Sequence, residues 1–134
     1  ILKGILDTED ALLASKAGAD AIIVSNHGGR QLDCTISSIS SLPDIKKNIG
    51  NNIEVWLDGG IRSGQDILKA LAMGADSTLI GRAFLYGLAA NGKEGVNKSL
   101  QILKNELDYT MALCGQKNIK NIDQKILQKN YFLK

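Results

Sequence analysis

Two segments of this chain are built alike, and their likeness restricts the folds open to it. "ALLASKAGADAIIVSNHGG" starts at Ala11 and "DILKALAMGADSTLIGRAF" starts at Asp66. Each runs from apolar residues at helical spacing into Gly-Ala-Asp, then a short apolar or β-branched run, then glycine beside a polar or charged residue. The triplets begin at Gly18 and Gly74, where a helix should stop, because glycine alone takes the left-handed C-terminal conformation without steric penalty. The repeating unit is helix, glycine turn, buried strand and polar loop. Short strands separated by helices pair in parallel, since a crossover helix returns the chain to the same end of the sheet.

The same logic predicts strands over 2–5, 21–25, 54–58 and 77–80. Between them it predicts a helix over 8–17 with Thr8 as N-cap, a long loop through 30–38, a helix over 40–48 and a helix over 64–73. Pro43 is acceptable in the first turn of the third of these segments. A short helix over 83–91, a longer one over 93–113 and an amphipathic one over 122–129 come next. Near-continuous apolar strands imply an α/β sheet covered on both faces. Four such units fit either an open parallel sheet or half of an eight-stranded barrel, and the period does not separate the two.

Composition narrows the function. A chain of 134 residues holds one modest domain with a core. Its net charge of +2 is too small to argue for nucleic acid, and 4% aromatic residues leave little for base stacking. Cys34 and Cys114 have no neighbouring cysteine, and with a single histidine they build no zinc spacing; they read as reduced thiols of a cytosolic-type compartment. No apolar run is long enough to span a bilayer, and "ILKGILDTED" lacks the features of a signal peptide. Opening on Ile1 rather than methionine, the sequence reads as a processed chain or a fragment.

In either architecture ligands gather at the carboxyl ends of the strands. The first strand holds Lys3 and Gly4; the second delivers Ser25, Asn26, His27, Gly28, Gly29 and Arg30. The third delivers Asp58, Gly59, Gly60, Ile61 and Arg62, and the fourth Gly81 and Arg82. Glycines let backbone N–H groups approach phosphate oxygens, the next helix adds its positive end, and arginine adds bidentate charge. Each Gly-Arg alone is more commonly a helix cap with a solvated arginine; two on adjacent strands favour phosphate. His27 alone could be a structural histidine, yet it comes directly after a buried strand and precedes two glycines and Arg30. An imidazole near neutrality is a natural general base, and a guanidinium beside it can clamp a carboxylate. Together they read as proton removal near the carboxyl group of a small acid. Lys3 is either a strand-end lysine with a solvated head or a fixed charge beside a cofactor that becomes anionic on reduction.

"SNHGGRQLD" at Ser25 resembles the signature of the FMN-dependent α-hydroxy acid oxidases and dehydrogenases. "LKGI" at Leu2, "WLDGGIRSGQDILKALAMGAD" at Trp56 and "LIGRAFLYGLA" at Leu79 match that family in the same order. "KGILDTEDA" and "GRAFLYGLA" look most like its quinone-linked L-lactate dehydrogenase branch. The resemblance implies an FMN cofactor and the C-terminal half of a TIM barrel, strands five to eight with extra C-terminal helices. It implies that His27 is the base and Arg30 the carboxylate clamp. Lys3 would stand by the flavin N1–C2 edge and Ser25 would contact the flavin. Asp58, Gly59, Gly60, Ile61 and Arg62, with Gly81 and Arg82, would hold the ribityl and phosphate parts. The family's first four strands, with their substrate-binding tyrosines and an aspartate that orients the histidine, have no counterpart in this sequence.

The leading expectation is therefore half of an L-2-hydroxy acid dehydrogenase, inactive without the other half, oxidising L-lactate with quinone as a candidate acceptor. The alternative is a non-catalytic remnant, or a half barrel closed by a second copy, that keeps a flavin or phosphate site. The tail lysines 120, 125, 129 and 134 suit a solvated helix better than a face lying on anionic lipid at the inner side of the cell membrane.

Overall fold

The structure, a computed structural model, describes residues 1–127. Strands β1 (Leu2–Ile5), β2 (Ala21–Val24), β3 (Glu54–Asp58) and β4 (Ser77–Leu79) alternate with helices α1 (Thr8–Lys16), α2 (Ser38–Ile49), α3 (Gly64–Ala72) and α4 (Arg82–Leu113). The strands form one sheet in the order β1-β2-β3-β4, all parallel. Among the described residues the outer sides of β1 and β4 pair with nothing.

Alternation along the strands sorts two faces. Ile22, Val24, Val55 and Leu57 meet Leu42, Ile45 and Ile49 of α2 and Ala11 and Ala14 of α1 in the core. Each of these larger side chains contributes roughly 1.5–3 kcal/mol by leaving water. The opposite face carries Ile23, Ser25, Trp56 and Asp58, and no helix of the core covers it. Polar groups on that face are drawn toward one another because the register sets them side by side.

The two Gly-Ala-Asp turns fold alike. Gly18 and Gly74 take φ +87° and +105°, and the alanines after them donate to Ala14 and Ala70, five residues back. These are the expected helix stops. They differ in what the aspartate does next: the Asp20 carbonyl accepts from Glu54 N–H, whereas the Asp76 carboxylate accepts from Val55 N–H at 2.8 Å and pairs with Lys46.

Several boundaries depart from expectation. Asp7, not Thr8, caps α1, because its carboxylate accepts from Glu9 N–H at 2.7 Å. Helix α2 begins at Ser38, two residues early, so Pro43 lies in its second turn and leaves the Ile39 carbonyl without its helical donor. The two helices expected after β4 are legs of α4, broken where Asn91 (φ −154°) and Gly92 (φ 51°) leave helical geometry. Beyond α4 the expected amphipathic helix does not form: residues 119–126 make two short 3₁₀ turns, Ile119–Asn121 and Gln124–Ile126, and 128–129 lie outside the described residues.

Candidate active site

The parallel register carries the chemistry to one end of the sheet. Lys3, on the edge strand, reaches across β2 to the Asp58 carboxylate at the end of β3, with Nζ 2.7 Å from Oδ2. Between them sits Ser25, 1% exposed, which accepts from Lys3 Nζ at 3.1 Å and donates to Asp58 Oδ2 at 2.8 Å. The same Ser25 hydroxyl accepts from His27 N–H at 3.0 Å. One serine oxygen thus joins three strands and the start of the histidine turn.

Asp58 feels opposing effects. Burial, the largest, pushes its carboxyl up; hydrogen bonds from Lys3 and Ser25, with the charges of Lys3 and His27, outweigh that and hold it below its ordinary value. It is a carboxylate throughout the neutral range.

His27 opens a 3₁₀ turn, His27–Gly29, in the left-handed region at φ +55°. The Asn26 side chain fixes this unusual backbone by accepting from Gly28 N–H at 3.0 Å, and Asn26 N–H in turn donates to Ser38 Oγ at 3.2 Å. Among the described residues the imidazole itself has no hydrogen-bond partner. It faces an open cleft of about 370 Å³ at the carboxyl ends of the strands. Arg30, Asp58, Arg62 and Arg82 line that cleft, together with Gly59, Gly60, Ile61 and Gly81. All the sequence-chosen site residues except Lys3 and Ser25 touch it, and those two are tied to it through Asp58. None of the three guanidiniums forms an ion pair among the described residues.

One of the two helix ends departs from expectation. α3 does not offer its amino end to the cleft: Ser63 and Asp66 close a capping box, Asp66 also accepts from Arg62 N–H at 3.1 Å, and Glu106 of α4 accepts from Gly64 N–H at 2.8 Å. α4 is the open one, with Gly81 at its N-cap and no side chain capping it. Uncapped N–H groups, the positive end of the helix macrodipole and Arg82 make that the anion-attracting corner.

Sequence spacing set Gly4 and Asn26 at strand ends without giving either a role, and missed Ser38. Asn-His-Gly could have flagged Asn26 as a turn cap; nothing local marks Ser38, twelve residues from its partner.

The family described as FMN-dependent dehydrogenase matches residues 1–129. This chain belongs to that family. It is 51% identical over 129 residues to the L-lactate dehydrogenase of Caulobacter sp. (strain K31), covering 96% of this chain and 34% of that protein. It is 53% identical over 122 residues to a peroxisomal (S)-2-hydroxyacid oxidase of Arabidopsis thaliana, covering 91% of this chain and 34% of that protein. Among solved structures it is similar to mandelate oxidase with 3,3-difluoro-2-hydroxy-3-phenylpropionic acid, with TM-score 0.89 and 46% identity, over 92% of this chain and 37% of the other. The chain thus spans about a third of the length of these relatives. Its four parallel strands and their helices form part of the TIM barrel of these FMN-dependent oxidases, which decides between the two architectures left open by the sequence period. No helix among the described residues is long and apolar enough to cross a membrane.

Proposed function

We propose that this chain supplies the base, the carboxylate clamp and the phosphate grip of an FMN-dependent enzyme that oxidises an L-2-hydroxy acid, with L-lactate converted to pyruvate. The observation that carries this reading is the convergence of His27, Arg30, Arg62 and Arg82 on one glycine-lined cleft. The residues suit FMN: a phosphate dianion matches guanidiniums that form no ion pair among the described residues and an uncapped helix end. When bound, FMN supplies the acceptor for the two electrons that leave the substrate.

A ring nitrogen of His27 takes the proton removed from the 2-hydroxy acid. Arg30 holds the substrate carboxylate through parallel N–H donors, which orients the substrate for that transfer. Lys3, held by Ser25 and Asp58, would offer a stationary positive charge to the reducible edge of the flavin, and Ser25 would stand behind it as a flavin contact. Asp58, Gly59, Gly60, Ile61 and Arg62 with Gly81 and Arg82 would hold the ribityl and phosphate parts. The Caulobacter and Arabidopsis relatives, a lactate dehydrogenase and a 2-hydroxyacid oxidase, support the substrate class. Resemblance to the lactate dehydrogenase branch supports a quinone acceptor, and with it a peripheral position at the inner membrane face.

The chain by itself is proposed not to turn over, since it spans a third of its relatives. Joined behind the preceding portion of the Caulobacter enzyme, it is expected to give a yellow protein whose flavin bleaches anaerobically with L-lactate faster than with glycolate or mandelate. His27→Gln should abolish bleaching and leave FMN bound. Bleaching that survives this substitution removes His27 as the base.

A further inference from the structure

We propose that Gly4 is a positioning residue for the His27 imidazole: its missing side chain is the seat on which the ring is oriented. The proposal deepens, and rests on, the reading of His27 as the base. It starts from an irregularity in the sheet. Lys3 pairs with Ile23 and Ile5 pairs with Val24, so β1 uses two residues where β2 uses one, and Gly4 is the extra residue. Such a bulge turns the backbone locally and re-aims what stands on it. Gly4 accordingly takes φ +99°, a conformation that strains any L side chain.

The bulge brings Gly4 under the histidine. A Cβ built on Gly4 lies 2.6 Å from His27 Cε1, closer than carbon atoms tolerate, and 3.5 Å and 3.6 Å from Nδ1 and Nε2. With Cε1 nearest and the nitrogens nearly equidistant, the ring presents its Cε1 edge to Gly4. Neither nitrogen is the ring atom nearest Gly4, and neither has a hydrogen-bond partner among the described residues. His27 is exposed and its ring has no hydrogen-bond partner among the described residues, so within this chain the close approach of Gly4 is what limits the ring's angle. Ser25 and Asn26 fix the backbone of the turn; Gly4 fixes the angle of the ring.

His27 is the only histidine, so a ¹³C label at Cε1 reports a single signal. In the unmodified chain a nuclear Overhauser effect is expected between the His27 Cε1 proton and the α-protons of Gly4. Its absence overturns the proposal, whether or not any variant folds. Gly4→Ala should abolish the effect.

Backbone strain and ring clash are separated by measuring the melting temperature of Gly4→Ala in the His27 and His27→Ala backgrounds. A seat makes much of the loss vanish once the imidazole is gone; equal losses in both backgrounds overturn the proposal. In the joined enzyme, Gly4→Ala should lower kcat by about a hundredfold with FMN still bound and KM little changed. If His27 is not the base, the Overhauser effect and the coupling persist while His27→Gln still bleaches. If the seat is wrong, His27→Gln still kills bleaching while the effect is missing.

Discussion

Lys46–Asp76 and Lys3–Asp58 close at 2.8 Å and 2.7 Å at opposite ends of the same sheet. At the amino end, Asp76 also engages the backbone, accepting from Val55 N–H, while the Lys46 stem lies against Gly74. That pair ties α2, β3 and the second glycine turn together. At the carboxyl end, Asp58 bonds only to side chains and lines the cleft. Around it stand left-handed residues and arginines that form no ion pair among the described residues. One ion pair fastens elements; the other holds charge at the edge of the cleft. The division matches the general rule for barrels, with chemistry at the carboxyl ends and stability at the other.

Substitutions at the two ends test this contrast. The largest effect is expected from Asp76→Ala, which strands Val55 N–H and Lys46 together. Urea unfolding should show a loss of about 2 kcal/mol, with FMN affinity unchanged. A parallel fall in FMN affinity would erase the distinction between the two ends. Next comes Arg82→Gln, expected to weaken FMN binding about tenfold in a fluorescence-quenching titration while the unfolding midpoint stays put.

Asp58→Asn should be smallest at neutral pH, under about 1 kcal/mol, because Lys3 is 37% exposed and its pair is partly screened by water. Its signature is in the pH dependence. The folded state depresses the Asp58 pKa, so its contribution is present above the unfolded value and is lost as pH falls through the folded one. Acid titration of stability below about pH 4 should therefore be shallower in Asp58→Asn than in the unsubstituted chain.

Much of the molecule was legible in its residues, for physical reasons. Glycine turns, apolar strands and helix spacing are local signals, so the four strands came out within a residue of their sequence ranges. The cleft was legible because parallel strands all end on one side, so the residues directly after each strand become neighbours in space. The misses are the non-local ones. The start of α2 at Ser38 depends on the hydroxyl meeting Asn26 N–H, and Pro43 inside it is tolerated by packing rather than favoured by propensity. The contact of Gly4 with His27 depends on a register slip that no spacing rule announces. The closing of α3 by Glu106 spans 42 positions of sequence.

That last contact steers whatever approaches the cleft. Because a carboxylate from the far leg of α4 already occupies the amino tip of α3, the protein has plugged one of two neighbouring anion ports with its own chain. Among the described residues the helix end left open beside the cleft is at Gly81 and Arg82, and in the proposed enzyme the charged tip of an elongated cofactor would be drawn to that side.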